Sequence, residues 1–392
     1  MRQYHSMNTP VAKPPWLLET NPWQKLSHME LPAQLSFGPW QDQPSAELAL
    51  AKQQISDLEQ QGRWELVKKM VNPYEIVYTH EDKQFHASIS LVKPLSRSYF
   101  KMIEMMFVLQ FFEQLPKHQK KIRTAHVAEG PGGFIQALIQ LCERNRVTIS
   151  SATAMTLKPV NPCVPGWKRA AAFLHRNPQI MIHHGEDGTG DIYIPENQRS
   201  FTVASKSGVC LFTADGGFDF SINYDVQEER VFHLLVSSAI TGIQTLASEG
   251  SFILKLFDIT SEHTKLFIAL ISQNFKEWIL YKPALSRPCN SERYFLGRKS
   301  RIASADLLKA LLEIQTQAAK GLYPTHTDIP ASIRAYIDEH IQQTTVEQIR
   351  SIQQAIVYAN QPELWYSTQL PIDLKKCISW CEKFRVPYFS GV

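Results

Sequence analysis

The sequence predicts an α/β domain built on a parallel sheet, and three observations support this prediction. From residue 123 onward, short apolar runs alternate with helical patterns, as strands alternate with helices in such folds. A glycine-rich turn at residues 130–133 follows the first run, and such turns let the backbone approach a nucleotide-like ligand. Three later runs each end in a charged residue, at Asp215, Lys255 and Glu292. This ordered combination is far more specific than a glycine loop alone.

The composition is typical of a soluble globular protein. Of 392 residues, 44% are hydrophobic and 20% are charged, and the formal net charge is +4. The length predicts a main domain with substantial additions. The mild positive charge permits a polyanionic partner without requiring one. The chain shows no signal-peptide pattern and no apolar run of membrane-spanning length, which predicts that no membrane is involved.

Six cysteines are scattered through the chain: Cys142, Cys163, Cys210, Cys289, Cys377 and Cys381. This spacing favours reduced thiols in an intracellular compartment over a disulfide framework. Cys377 and Cys381 lie one helical turn apart, which would suit a metal ion, but no second Cys/His pair with zinc-finger spacing accompanies them. We therefore predict no metal site and an intracellular protein, with the cytoplasm favoured and the nucleus as the alternative.

Residues 1–90 are predicted to form an N-terminal region that contacts RNA or a partner. Residues 1–45 show no sustained period and are interpreted as an irregular arm. Its Trp16, Trp23 and Trp40 either pack onto the main domain or form a docking surface. A helix over residues 46–71 ends at Asn72-Pro73. Two β-prone runs follow, over residues 75–78 and 87–92.

The main domain is predicted over residues 91–300. It begins with an apolar helix over residues 98–115. Strands are predicted over residues 123–128, 148–156, 179–183, 209–214, 251–257, 277–281 and 293–296. Helices are predicted between them over residues 134–144, 227–247 and 262–273. A C-terminal extension over residues 301–392 contains predicted helices over residues 303–319 and 328–358.

Four segments carry a family resemblance: residues 124–134, 213–218, 252–257 and 286–294. In this order they resemble the FtsJ-like (RrmJ-like) ribose 2′-O-methyltransferases. Residues 154–158 and 185–192 favour the branch that methylates the mRNA cap, and the resemblance covers residues 91–298. It implies a Rossmann-like methyltransferase fold, with a mostly parallel seven-stranded sheet, helices on both faces and an antiparallel last strand.

The family's Lys-Asp-Lys-Glu tetrad carries over onto Lys101, Asp215, Lys255 and Glu292. Methyl transfer to a ribose hydroxyl requires alignment of that hydroxyl and removal of a proton of very high pKa. Lys255 would lie nearest the hydroxyl, either as a base once neutral or as a hydrogen-bonding group. Burial and the Lys101 ammonium would lower the pKa of Lys255, while the carboxylates would oppose that shift. Because Lys255 interrupts an apolar strand, it is the most specific signal of the four.

The resemblance implies S-adenosyl-L-methionine as cofactor, with the glycine-rich turn against its methionine portion. Asp191 would contact the adenosine, because a carboxylate accepts from the adenine amino group. The predicted cofactor-binding residues are Ala128, Glu129, Gly130, Pro131, Gly132, Gly133, Phe134, Thr156, Asp191, Ile192 and Asp215. Many relatives have a small residue in place of Glu129 and an acidic residue in place of His126. Glu129 would then take over an acidic cofactor contact.

The predicted RNA-binding residues are Arg97, Arg287, Asn290 and Ser291, with Lys282 and Arg293 as further candidates. The arginines would contact phosphates, while Asn290 and Ser291 would bond a ribose or backbone oxygen. A cap-reading site would need an aromatic ring stacked on a cationic guanine. The candidate rings are Tyr74, Tyr78, Phe85 and Tyr99, with core packing as the alternative for each.

These observations predict methylation of a ribose 2′-hydroxyl in RNA, at the first transcribed nucleotide of capped mRNA. Ribosomal RNA is the alternative substrate. The alternative of another class is a catalytically inactive RNA-binding subunit that kept the fold, but no tetrad member is missing. Expected partners are capped RNA and other capping or transcription proteins. The compact chain suggests a large DNA virus that transcribes in the cytoplasm.

Overall fold

An eight-stranded sheet lies at the centre of the computed structural model of the chain. The structure describes residues 23–25, 27–31, 34–41, 45–79, 88–158, 166–206, 208–217, 227–326, 328–361, 363 and 374–389. The strands are β1 (Gln24–Lys25), β2 (Ser36–Gly38), β3 (Lys121–Val127), β4 (Thr148–Met155), β5 (Ile180–His183), β6 (Val209–Ala214), β7 (Leu246–Leu256), β8 (Phe275–Tyr281), β9 (Arg293–Ser300) and β10 (Tyr323–His326). Strands β2 and β10 pair with each other in a separate small sheet.

The central sheet has the order β1-β8-β9-β7-β6-β3-β4-β5. Strands β3 to β7 pair in parallel, whereas β9 is antiparallel to both β7 and β8. This confirms the predicted mostly parallel sheet with an antiparallel last strand. All seven predicted strands of the main domain are present. The eighth, β1, pairs antiparallel with β8 and is only two residues long, which is too short to show a period in the sequence.

Twelve α-helices surround the sheets in the described part of the chain. They are α1 (Ala46–Gln60), α2 (Trp64–Met70), α3 (Ser98–Leu109), α4 (Phe111–Gln114), α5 (Gly133–Arg144), α6 (Ala171–Arg176), α7 (Pro195–Ala204), α8 (Gln227–Thr245), α9 (Glu262–Ser272), α10 (Ala305–Ala318), α11 (Ala331–Asn360) and α12 (Leu374–Lys383). Short 3₁₀ helices cover Glu75–Val77 and Trp167–Ala170. Helices α6, α7 and α12 were not predicted.

Both faces of the sheet are covered by helices, as alternate residues of β7 illustrate. Phe252 and Leu254 face the core built with α8, α9 and α10, whereas Ile253 faces the core built with α3, α5 and α12. Successive side chains of a strand point to opposite faces. Lys255 therefore points to the same face as Ile253, where α3 lies.

Two predicted helices are interrupted. The helix predicted over residues 46–71 divides into α1 and α2 around residues 61–63. The helix predicted over residues 98–115 breaks at Gln110, which has a left-handed conformation with φ 52°. A periodic pattern does not reveal a single residue that leaves the helical region.

The two β-prone runs of the N-terminal region do not form strands where the structure describes them. Residues 75–77 form a 3₁₀ helix, and within the described residues 88–92 only Ser90 makes a β-bridge, to Tyr388. These residues pack around the buried side chain of Glu75, and this tertiary contact overrides the local propensity.

The tryptophans of the arm pack onto the main domain where the structure describes them, which confirms the packing alternative. Trp23 is buried beneath the guanidinium of Arg298, 4.0 Å from the ring centroid. Trp40 contacts Phe232 edge-on, with ring centroids 5.7 Å apart. Trp16 lies outside the described residues.

The segments before and after residues 91–300 pack on the main domain and on each other. Helices α1, α2 and α11 share a small apolar core that includes Leu48, Ile55 and Ile352, together with Cys289 of the main domain. Helix α12 packs on α3 through Trp380, whose ring lies 6.0 Å from that of Phe100. No helix among the described residues is both long enough and apolar enough to cross a membrane.

Candidate active site

The four predicted tetrad residues come from separate elements and meet at one edge of the sheet. Asp215 directly follows β6, and Lys255 is the penultimate residue of β7. Glu292 directly precedes β9, and because β9 is antiparallel, its start lies at the edge where the parallel strands end. Lys101 reaches the same place from α3. This edge is where ligands bind in open α/β sheets.

The tetrad side chains are linked by a chain of ion pairs, in the order Lys101, Glu292, Lys255 and Asp215. The Nζ of Lys101 donates to both carboxylate oxygens of Glu292, at 2.8 and 2.9 Å. The Nζ of Lys255 lies 3.4 Å from Glu292 Oε2 and 3.5 Å from Asp215 Oδ1. The Lys255 side chain keeps 14% of its surface exposed, so its ammonium is enclosed and still reachable.

The electrostatic balance at Lys255 favours its charged form. Burial lowers the pKa of the Lys255 ammonium, but the carboxylates of Asp215 and Glu292 raise it by more, so the pKa lies above the ordinary lysine value. Burial raises the pKa of Glu292, but the ammonium groups of Lys101 and Lys255 more than offset this, so the pKa is lowered. Of the two opposing effects expected from the sequence, the carboxylates prevail.

Three neighbouring side chains hold the tetrad, of which Tyr294 and Ser286 were not singled out from the sequence and Lys282 was predicted only as a further RNA contact. The hydroxyl of Tyr294 donates to Asp215 Oδ1 at 2.9 Å, and Ser286 donates to Glu292 Oε1. Lys282 donates to the backbone oxygens of Asn290 at 2.6 Å and Glu292 at 3.1 Å, and burial lowers its pKa to about 7. Tyr294 and Ser286 lie within residues 286–294, one of the segments that carry the family resemblance. Their short distance in sequence from Glu292 could have indicated this role.

The glycine-rich turn lies directly beside the tetrad. A Cβ at Gly216 would come within 2.9 Å of the Ala128 side chain, so the turn after β6 and the turn after β3 touch. Gly132 caps α5 with φ 99°, a conformation that other residues rarely adopt, and a Cβ there would lie 3.2 Å from the ring of Trp167. The loop at residues 189–191 joins the same region, because Lys158 donates from its backbone to Thr189 at 2.7 Å.

Glu129, in this turn, fits a polar ligand. It is buried, its Oε1 accepts from Thr213, and its Oε2 has no hydrogen-bond partner in the described structure. The nearest base, His126 Nδ1, lies 3.4 Å from that oxygen. Burial raises the pKa of Glu129 although His126 opposes the shift. The amino group of a methionine-like ligand beside this turn could donate to the unsatisfied oxygen.

The other predicted cofactor residues divide into two groups. Asp191 is partly exposed, and its Oδ1 accepts from the backbone of Tyr193 at 2.8 Å. The side chains of Phe134 and Ile192 instead lie in the hydrophobic cores, so they contribute apolar surface to this region. Thr156 is buried directly after β4, at the same edge of the sheet.

The two arginines predicted to contact RNA are paired with a residue that the sequence did not single out. Glu75 is fully buried, accepts from Arg287 Nη2 at 2.9 Å, and lies 3.3 Å from Arg97 Nη1. Arg97 also donates to the backbone oxygens of Tyr78 and Leu285, so its donors are used inside the protein. Arg287 keeps 23% of its side chain exposed. Asn290 is exposed, while Ser291 is buried and donates to Gln227 at 3.1 Å.

The candidate cap-stacking rings pack inside the protein. Tyr99 is fully buried and Tyr78 lies 5.4 Å from the ring of Phe100, in agreement with the core alternative. Tyr74 also packs against this core, and Phe85 lies outside the described residues. In the described ranges, no group of three or more His, Cys, Asp or Glu side chains is placed to hold a metal ion. Cys377 and Cys381 are both buried in the core around α3.

Comparisons with known proteins agree with this geometry. A family model described as FtsJ-like methyltransferase matches residues 94–300, more than half of the chain. Cap-specific mRNA (nucleoside-2′-O-)-methyltransferase 2 of Mus musculus is 27% identical over 285 residues, which cover 71% of this chain and 36% of the relative. Cap-specific mRNA (nucleoside-2′-O-)-methyltransferase 1 of Danio rerio is 31% identical over 219 residues, which cover 51% of this chain and 26% of the relative. The chain thus spans about a third of the length of these curated relatives.

Among solved structures, a ribosomal RNA methyltransferase of Plasmodium falciparum covers 53% of this chain and 99% of its own, with 16% identity and a TM-score of 0.37. This similarity is too low to inform function. The match to the family model assigns the family without support from solved structures. The family uses S-adenosyl-L-methionine as its methyl donor, as predicted. The chain belongs to the FtsJ-like methyltransferase family.

Proposed function

We propose that this chain methylates a ribose 2′-hydroxyl in RNA, at the first transcribed nucleotide of capped mRNA. The observation that carries the proposal is the position of Lys255, held between Glu292 and Asp215, whose following turn touches Ala128 at the start of the glycine-rich turn. The cap-specific relatives support the choice of capped RNA over ribosomal RNA.

The residues around Lys255 suit the needs of this reaction. When bound, S-adenosyl-L-methionine supplies an electrophilic methyl group. Lys255 orients the 2′-hydroxyl and, in its neutral form, accepts its proton, while Asp215 and Glu292 hold the ammonium that results. The ion pair of Lys101 with Glu292 and the hydrogen bond from Tyr294 to Asp215 keep both carboxylates in place. Alignment of this kind contributes about 7–11 kcal/mol to catalysis in well-oriented reactions.

We further propose that the protein acts inside the cell, beside other capping or transcription proteins. The cysteines of the described residues are all free thiols, which supports a reducing compartment.

A methyl-transfer assay with labelled S-adenosyl-L-methionine tests the proposal. Three substrates are compared: a capped oligoribonucleotide, the same oligonucleotide without its cap, and a structured ribosomal RNA fragment. We expect label on the first nucleotide of the capped RNA and none when that nucleotide is 2′-deoxy. Equal labelling of capped and uncapped RNA would contradict cap dependence, and label on a base would contradict ribose methylation.

A further inference from the structure

A cavity of about 150 Å³ lies beside the tetrad, and Glu292 forms part of its wall. Phe257 lines the same cavity, and its ring centroid is 5.2 Å from the Nζ of Lys255. The cavity therefore begins where the target hydroxyl must lie.

The opposite wall of the cavity comes from outside the family domain. Helix α1 contributes Lys52, helix α2 contributes Trp64 and Lys68, and helix α11 contributes Gln348. None of these residues falls within the matched range 94–300. The three helices share an apolar core with Cys289, which fixes their wall against the 286–292 segment.

The charges on the cavity wall suit an anionic ligand. Lys52, Lys68 and Arg287 line it, together with the carboxylate of Glu292. Glu292 is already neutralised by two ammonium groups of the tetrad. Lys52 is paired with Asp258 at 2.8 Å and Arg287 with Glu75 at 2.9 Å, which leaves Lys68 as the cation most readily available to a ligand. Among the described residues, Lys68 forms an ion pair with Glu65, whose side chain is 74% exposed, so this pair is readily exchanged for a phosphate.

One polar group in the wall has no partner. Gln348 is only 3% exposed, and its Nε2 donates to the backbone oxygen of Cys289 at 3.3 Å. Its Oε1 accepts no hydrogen bond from any described residue. Because Gln348 lines the cavity, this oxygen is an acceptor that a ligand or water in the cavity can satisfy.

We propose that this cavity binds the nucleobase of the RNA nucleotide whose ribose faces Lys255, with its adjoining phosphate at Lys68. This rests on the proposed RNA methylation. A cavity of about 150 Å³ holds a benzene-sized ring, so the volume suits the ring of one base. Trp64 and Phe257 give the cavity an apolar part of its wall, and Gln348 Oε1 accepts from an amino or ring N–H group of the base. The helices outside the family domain are thus part of the substrate site.

Two variants and a matched control test this proposal. Lys68→Gln removes the cation, and Gln348→Met removes the acceptor at similar volume. Lys69→Gln, on the same helix but outside the cavity wall, is the control. We expect each of the first two variants to raise the KM for RNA by about fivefold to tenfold, with kcat and cofactor affinity unchanged. Lys68→Gln should also reduce the slope of log KM against log salt by about one. The control should match the parent.

An abasic target nucleotide tests the base contact directly. In the parent protein, removal of that base should weaken RNA binding, whereas in Gln348→Met the same removal should have a smaller effect, because the contact is already lost. Equal losses in both proteins would overturn the assignment of Gln348. If Gln348→Met instead reduced the effect of removing the cap on RNA binding, the assignment would be overturned too, because the cavity would then read the cap.

Binding titrations with the same oligonucleotides separate the two proposals. If the parent transfers no methyl group to any RNA, the proposed function is overturned. If the parent is active but both variants bind RNA like Lys69→Gln, the cavity proposal alone is overturned.

Discussion

At the scale of single residues, Lys255 is the side chain on which the proposed reaction depends most. It is a charged residue in an apolar strand, and the strand ends where its ammonium meets two carboxylates. An unpaired charge at this depth would be expelled or neutralised. Lys255 therefore stays charged at this depth because Asp215 and Glu292 pair with it, and these partners determine its pKa.

Replacement of Lys255 by Met should abolish methyl transfer, because the group that orients the hydroxyl and accepts its proton is lost. We expect kcat to fall by about 10²–10⁴-fold, the usual contribution of general acid–base catalysis. Calorimetric titration should give a cofactor affinity close to that of the parent. Lys276→Met removes another sheet lysine, one exposed and paired with Glu249, and should leave kcat unchanged. Full turnover by folded Lys255→Met would remove Lys255 from the mechanism.

The pH dependence follows from the raised pKa of Lys255. Because the folded pKa lies above the unfolded value, the stabilising contribution of this group is complete below the unfolded pKa and disappears as the pH rises through the folded one. A protonated lysine cannot accept a proton. We therefore expect kcat to rise about tenfold per pH unit between about pH 7 and pH 9. A flat profile measured by single-turnover kinetics would mean that Lys255 only steers the hydroxyl by hydrogen bonding.

At the scale of elements, the segment at residues 286–292 is held in place from the N-terminal side. Ser286 bonds Glu292, and the adjacent Arg287 is bound twice by Glu75, with Nε at 3.2 Å and Nη2 at 2.9 Å. Asn72 also donates to Glu75, at 2.7 Å. An Arg287→Glu change would therefore place a second carboxylate against Glu75, and any loss of RNA affinity would be mixed with local unfolding.

Glu75→Gln should destabilise the fold, because it leaves the Arg97 and Arg287 guanidinium groups without their buried counter-charge. Breaking a buried ion pair typically costs about 3–5 kcal/mol, which urea unfolding would measure. Burial raises the pKa of Glu75, but Arg97 and Arg287 lower it by more, so its stabilising contribution is present above the unfolded pKa and lost as the pH falls through the folded one. Parent and variant should converge in stability at acidic pH. Glu249→Gln, on an exposed pair, is the control, and an equal loss there would contradict the argument.

Gly132, in the glycine-rich turn, allows a separate prediction about cofactor binding. Valine at this position would have to adopt φ near 99°, and its Cβ would press on the ring of Trp167. We expect Gly132→Val to lose affinity for S-adenosylhomocysteine, because the turn must shift to relieve this strain. Calorimetry would measure the loss, with far-ultraviolet circular dichroism to establish that the variant is folded. Unchanged affinity would place the cofactor away from this turn.

At the scale of the whole molecule, the C-terminal residues complete the main core. Trp380 is buried against α3 and donates at 3.1 Å to Glu104, a fully buried carboxyl whose pKa is raised by burial. Phe384 and Val386 are buried beside it. The core of the family domain is therefore incomplete without residues 374–389.

A chain that ends at residue 361 should melt at a lower temperature than the parent. Each large apolar side chain removed from the core forfeits about 1.5–3 kcal/mol of burial. Scanning calorimetry would measure the change. Lys375→Gln, at an exposed position of α12 in the full chain, is the control and should have no effect. An unchanged melting temperature in the shorter chain would show that α12 adds nothing to the core.

The sequence by itself determined the sheet, its parallel character and the four tetrad positions. The strands of the main domain are long and apolar, because they are buried on both faces, and such runs are visible without neighbours. Lys255 was conspicuous for the same reason, as a charge in a buried strand. The glycines of the turn and the flanking motif residues could be recognised because they lie close together in sequence.

Only the tertiary structure decided which charges are free and which are paired. Glu75 lies 212 residues from Arg287 in the chain, and nothing local marks their contact. The same holds for the two-residue strand β1 and for the wall that α1, α2 and α11 form beside Glu292. The raised pKa of Lys255 could not be read from the sequence either. It depends on the distances from its ammonium to two carboxylates that separate strands bring together. Contacts between distant segments leave no period in the sequence, so packing alone reveals them.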